Sequence, residues 1–208
     1  MMRITDVKTL ETYIASMRPE LSKYAEIPED QFQQLISDAR FMHITKGDYF
    51  LKIDEIPDKM AFILSGIFRV FYVTASGKEK TLVFRDEGHF LSGYSPYLTN
   101  ERSWYAIQAI EDSDLAYNTL ESYQRFLANH PCWNNVVVKY VQTLFIEKEQ
   151  REREFLSEDA TQRYINLIRN EPKFESRIPQ HYIASYLGIT PVALSRIRKK
   201  LKKPLATS

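Results

Sequence analysis

The residues best equipped for chemistry lie between Pro179 and Lys203. Pro179 suits the opening of a short helix, with Ile183, Ala184 and Leu187 on one face. Gly188 is free to take the left-handed turn that ends it. Thr190 suits the cap of a second helix, with Pro191 at its first position. On that helix Leu194, Ile197 and Leu201 share one side. Val192, Ser195, Arg196, Lys199 and Lys203 point the other way, at roughly 100° per residue. This predicts a small, polar and basic face of the kind that enters a DNA major groove. There Arg196 would pair bidentately with guanine, Ser195 would bond several bases and Val192 would meet a thymine methyl. Lys199 and the Thr190 hydroxyl are placed for phosphates. An amphipathic hairpin with a solvated basic face would carry the same pattern.

Enzyme chemistry has little to work with. Gly88 and Gly93 imitate the glycine spacing of a phosphate-binding loop, but Tyr94-Ser95 follows where Lys-Ser or Lys-Thr is required. Gly93-Tyr94-Ser95-Pro96 lacks the second glycine of a nucleophile elbow. His43, His89, His130 and His181 stand far apart, with no pair at i, i+4 for zinc. The single cysteine, Cys132, excludes a disulfide framework and a four-cysteine cluster supplied by one chain. The expectation is a protein with no catalytic residues and no metal site.

The surrounding elements must position the basic face. Net charge is +1, yet residues 161–208 hold ten Lys/Arg against two Asp/Glu, so the rest of the chain is acidic. A basic end on an acidic body points to a polyanion partner, with nucleic acid first in line. Residues 1–46 read as helical, with Phe32, Leu35, Ile36 and Ala39 at one-face spacing after Pro28. From Gly47 to Tyr117 short aromatic and β-branched runs alternate with turn signals. That texture predicts an antiparallel sandwich or barrel.

After His130-Pro131 a long amphipathic helix is expected, with Val137, Val141 and Leu144 as its seam. Such a seam packs on a partner chain or on the chain's own β domain. Ser157 suits the cap of the next helix, with Ala160, Tyr164, Leu167 and Ile168 on its apolar face. No apolar run reaches the length of a membrane span, and Asp6 and Glu11 interrupt the stretch a signal peptide would need. A soluble, cytoplasmic protein is expected. The domains expected are 1–130, 131–156 and 157–208.

With these residues in hand, the chain resembles the Crp/Fnr family of bacterial transcription regulators over roughly residues 20–203. Ile44-x-x-Gly47-Asp48-Tyr49 resembles the family's first strand, and Phe62 to Val70 resembles its β-roll hairpin. Gly88-His89-Phe90 resembles the opening of the segment where relatives hold a cyclic nucleotide. Ile178 to Leu201 is the strongest match, similar to the helix-turn-helix of the Bacteroidetes-type branch. The resemblance implies an α+β chain with a jelly-roll-like antiparallel β-roll, N-terminal helices and a long dimerisation helix, ending in a helix-turn-helix domain. It also implies a homodimer on double-stranded DNA, with RNA polymerase as a further candidate partner.

The same resemblance assigns an effector segment. Arg102-Ser103 matches the pair that holds a cyclic phosphate in relatives, with Tyr94, Tyr97 and Trp104 as candidate walls. Gly93 stands where relatives carry the glutamate that accepts from the ribose. Asp159 and Arg163 match the family's hinge, and counting back from them puts Lys148-Glu149 in place of the neutral pair that meets the base. Cyclic AMP is therefore not the expected effector, and no cofactor is expected. A cyclic-nucleotide-responsive sensor and a protein whose basic end docks an acidic partner are the competing readings. Pro191-Val192 replaces an Arg-Glu pair of the cyclic-AMP-responsive relatives, so a different operator is expected. With the chain ending soon after Leu201, any wing is expected from residues 173–178.

Overall fold

The computed structural model describes residues 7–202, with side chains from Ile14 to Leu201. Lys203, set by the sequence on the outward helix face, lies outside the described residues. In chain order the elements begin with α1 (Val7–Ser22), α2 (Glu29–Asp38), β1 (Arg40–Ile44), β2 (Tyr49–Leu51) and β3 (Lys59–Ser65). Next come β4 (Phe68–Val73), β5 (Glu79–Arg85), β6 (Phe90–Ser92), α3 (Tyr94–Thr99), β7 (Ala106–Ala109) and β8 (Ser113–Thr119). The helices α4 (Leu120–Asn129), α5 (Pro131–Ser157), α6 (Ala160–Asn170), α7 (Phe174–Arg177), α8 (Gln180–Leu187) and α9 (Pro191–Lys202) follow.

The strands form two four-stranded sheets, ordered β1-β8-β3-β6 and β2-β7-β4-β5. Their recorded pairings are antiparallel, for example Phe62↔Ala116 between β3 and β8 and Val70↔Ile107 between β4 and β7. Short runs rich in Ile, Val and Phe make such strands because branched and aromatic side chains pack well on a pleated surface. Ile63, Phe68, Leu91, Ile107 and Leu115 are fully buried between them. Each such side chain contributes roughly 1.5–3 kcal/mol on leaving water. Leu21, Phe32, Phe126, Trp133 and Val136 bring α1, α2, α4 and the start of α5 together in a second cluster.

Chain contacts divide the protein into two compact units. One holds the residues up to Phe71 and Phe84–Phe145; the other holds Tyr72–Val83 and the residues from Ile146 onward.

Three local expectations are corrected. Residues 40–44 were expected to be helical but form β1. The chain turns extended at Ala39, and cross-strand pairing such as His43↔Asp114, with Nδ1 2.8 Å from Oδ1, holds it there. The cap of α6 is Asp159, whose carboxylate accepts from the Gln162 N–H at 2.8 Å. Ser157 instead ends α5, its hydroxyl donating to the Arg153 carbonyl. Within residues 173–178 the chain makes the single helical turn α7, with Phe174 and Ile178 buried four residues apart. Residues 173–178 thus take a helical turn packed by Phe174 rather than a wing strand.

Candidate functional site

The C-terminal pair is built from local stereochemistry. Ile183, Ala184 and Leu187 of α8 are fully buried. Gly188 takes φ +72°, a backbone conformation that side chains disfavour, and ends the helix. Thr190 then caps α9, its hydroxyl accepting from the Ala193 N–H at 3.2 Å. Leu194 faces inward with no exposure, whereas Val192, Ser195, Arg196 and Lys199 are exposed.

The basic residues of α9 divide by role. Arg198 is half-buried and pairs with Glu175 at 2.8 Å, and the Tyr164 hydroxyl donates to the same carboxylate. Burial and that bond push the Tyr164 phenol up to about 12, so it stays a donor at neutral pH. Arg198 is thus occupied in packing, and Arg196, Lys199 and Lys200 are the exposed cations of α9 among the described side chains. The apolar stripe is shorter than expected, since Leu201 is 45% exposed and inward packing ends near Ile197.

The β-roll segment around Arg102 is already bonded to its own chain. The Arg102 guanidinium donates to the Asp54 carbonyl at 2.7 Å. The Ser103 N–H donates to the Glu55 carbonyl at 2.8 Å, and the Asp54 N–H donates to the Ser103 carbonyl at 2.7 Å. The Ser103 hydroxyl is fully buried and donates to the Tyr105 carbonyl. Arg102 borders a cleft of about 450 Å³ whose rim carries Asp54, Glu55 and Asp58 against Lys59 and Arg102. An anion entering it meets three carboxylates.

Gly93 is required by close approach. A Cβ there would stand 2.4 Å from Cγ of Pro57 and 2.9 Å from Leu51. The loop before β3 therefore fills the space a side chain at this position would need. Tyr94 and Tyr97 turn towards Tyr123, with ring centroids 6.5 and 6.4 Å from it, rather than lining the Arg102 cleft. Trp104 is 42% exposed and meets Tyr105 edge-on. Lys148 and Glu149 are exposed on α5.

On α5, Trp133 and Val136 are buried in their own domain, and Val137 and Leu144 are half-buried. In its middle turns Val138, Val141, Phe145 and Ile146 face outward, at 54, 39, 59 and 62% exposure, and Phe155 and Leu156 are exposed near its end. Val141 belongs to the expected seam; Val138 and Phe145 do not. Their 3-then-4 spacing was visible in the sequence, but which face its own core claims was not. Cys132 is buried, and burial pushes its thiol up, which keeps it protonated and unreactive.

Residues 41–130 match the sequence profile of the cyclic nucleotide-binding domain. This chain has that domain's fold, a β-roll, followed by C-terminal helices. Solved structures extend the likeness. The c-di-GMP-responsive global regulator CLP from Xanthomonas campestris aligns over 84% of this chain and 92% of its own, with 13% identity and TM-score 0.70. A putative Crp/Fnr-family regulator from Eubacterium rectale aligns over 85 and 84%, with 17% identity and TM-score 0.67. A regulatory subunit of a cAMP-independent protein kinase A from Trypanosoma brucei aligns over 66% of this chain at 20% identity and TM-score 0.54. This chain spans about half of that subunit, 47% of its length. The search of curated proteins found no match. Among the described residues, no helix is long and apolar enough to cross a membrane.

Proposed function

We propose that this chain is a sequence-specific DNA-binding transcription regulator that acts as a homodimer. In this reading α8 and α9 form a helix-turn-helix, and α9 is the recognition helix. The observation that carries it is the outward face of α9, where Val192, Ser195, Arg196 and Lys199 are exposed opposite the buried Leu194. Val192, Ser195 and Arg196 read bases, while Lys199 and the first turn at Thr190 meet phosphates. The exposed Val138–Val141–Phe145 stripe of α5 joins two copies. The likeness to proteins named as regulators over most of the chain supports the regulator part of this reading.

Binding of duplex DNA measured against salt tests the proposal. The logarithm of affinity should fall linearly with the logarithm of salt concentration, with a slope of several units. Absence of binding at low salt would remove the DNA reading and leave an acidic protein as the partner of the basic face.

The cyclic-nucleotide profile favours a second reading, a regulator that responds to cyclic AMP or cyclic GMP. The geometry of Arg102, Ser103 and Gly93 speaks against it, since each is engaged or crowded by the loop before β3. Calorimetry with either nucleotide should give no heat of binding below millimolar concentration. Restoring a glutamate by Gly93→Glu should not rescue binding, because Pro57 blocks its Cβ. Sub-micromolar affinity of the unaltered protein would establish the second reading.

A further inference from the structure

A helix leaves its last carbonyls without partners inside the helix. In α8 two of these are taken by arginines from other elements of the same compact unit. Arg151 near the end of α5 donates to the Tyr186 carbonyl at 2.9 Å, and Arg163 of α6 donates to the Leu187 carbonyl at 3.1 Å. Both cations sit at the negative end of the α8 dipole.

The two guanidinium groups are also stacked. Arg151 lies 3.7 Å from the Tyr186 ring centroid and 4.8 Å from that of Phe155, while Arg163 lies 4.5 Å from Phe155. Phe155 is itself close to the turn: a Cβ at Gly188 would stand 3.1 Å from its Cε1. Burial, with the nearby Arg163 cation, lowers the affinity of Arg151 for its proton, yet the Tyr186 side chain and Glu154 favour the cation, and the guanidinium stays charged at neutral pH. Ser185 anchors the flank of α8, accepting from the Thr81 N–H at 3.0 Å on the edge of β5. The next residues after this joint are the turn and α9.

We infer that Arg151 and Arg163, stacked about Phe155, are positioning residues that set the direction in which α9 is presented. The inference rests on the DNA-binding reading for its consequence, but the joint is a property of the free protein. Neither arginine lies on the outward face of α9, so their loss acts through helix placement and not through a phosphate contact. Lysine does not replace Arg151, because an ammonium supplies no planar surface to stack between Tyr186 and Phe155.

The experiment compares the full chain with Arg151→Gln, Arg151→Lys and Phe155→Leu, using Arg153→Gln as an exposed charge-loss control. Hydrogen exchange of residues 186–194 reads the joint without DNA, and should speed by about tenfold in the three variants and not in the control. On DNA, the ratio of specific to random-sequence affinity should drop by about tenfold at an unchanged salt slope. Unchanged exchange and an unchanged ratio would overturn the inference, as would a slope reduced by one unit in Arg151→Gln but not in Arg153→Gln. Should Arg151→Gln fail to fold, Phe155→Leu, altered at a half-exposed ring, decides on the same two readouts. Failure of the unaltered protein to bind any DNA would remove the DNA reading alone, with the exchange result still deciding the joint.

Discussion

Replacing Val141 and Phe145 together by aspartate is expected to yield a monomer that has lost specific DNA binding. Val138, Val141 and Phe145 follow one another at three and four residues, the spacing of a helix seam, and all three face solvent in the single chain. Trp133 and Val136, on the other side of α5, are already buried in their own domain. A second α5 is the partner best suited to the outward stripe. Four buried carboxylates per dimer would each need a partner that the seam does not hold. A dimer binds through two half-sites, so a monomer loses the linked second contact. Affinity for a full site should fall by roughly a hundredfold to ten-thousandfold. Sedimentation of both proteins at micromolar concentration, with DNA binding measured alongside, checks this. A monomeric unaltered protein that binds DNA at full strength would contradict it.

The second large effect is expected at Arg196. Its side chain is exposed on α9, one helical turn beyond Val192 on the same face, and its neighbour Arg198 is held by Glu175. Arg196→Ala should cost roughly 1–3 kcal/mol on the best site and relax preference at one base pair per half-site. Lys199→Ala should instead weaken all sequences alike and reduce the salt slope by about one unit. The contrast separates reading a base from holding the backbone. Equal losses on specific and random DNA for Arg196→Ala would remove it from the base-reading set.

What the sequence made legible was local. Pro179, Gly188, Thr190 and Pro191 each have a stereochemical meaning within a few residues, and the α8–turn–α9 geometry follows from them. Strand runs such as Ile67–Val73 were equally readable, because turn residues bracket them. The misreadings are tertiary in origin. Residues 40–44 pass for helix until β8 pairs with them, and which apolar residues of α5 face solvent (Val138, Val141 and Phe145) is settled only once Trp133 and Val136 claim the other face. Leu201 fits the apolar stripe by spacing, but the fold does not cover it. Gly93 against Pro57, and Arg102 against the Asp54 carbonyl, join positions 36 and 48 residues apart. Neither contact has a signature in either segment alone. Arg151 was hidden for the same reason, since a charged residue near a helix end reads as solvated until its carbonyl partner is seen, and Arg163 was placed at the hinge by resemblance without its bond to the Leu187 carbonyl.

The central claim is that two copies of this chain present α9 to one DNA site. Footprinting of the purified protein across genomic DNA tests it most directly. The account predicts protected sites with two-fold symmetry, their half-sites centred about one helical turn, roughly 34–36 Å, apart. Uniform, sequence-independent protection, or single unpaired half-sites at every locus, would contradict it.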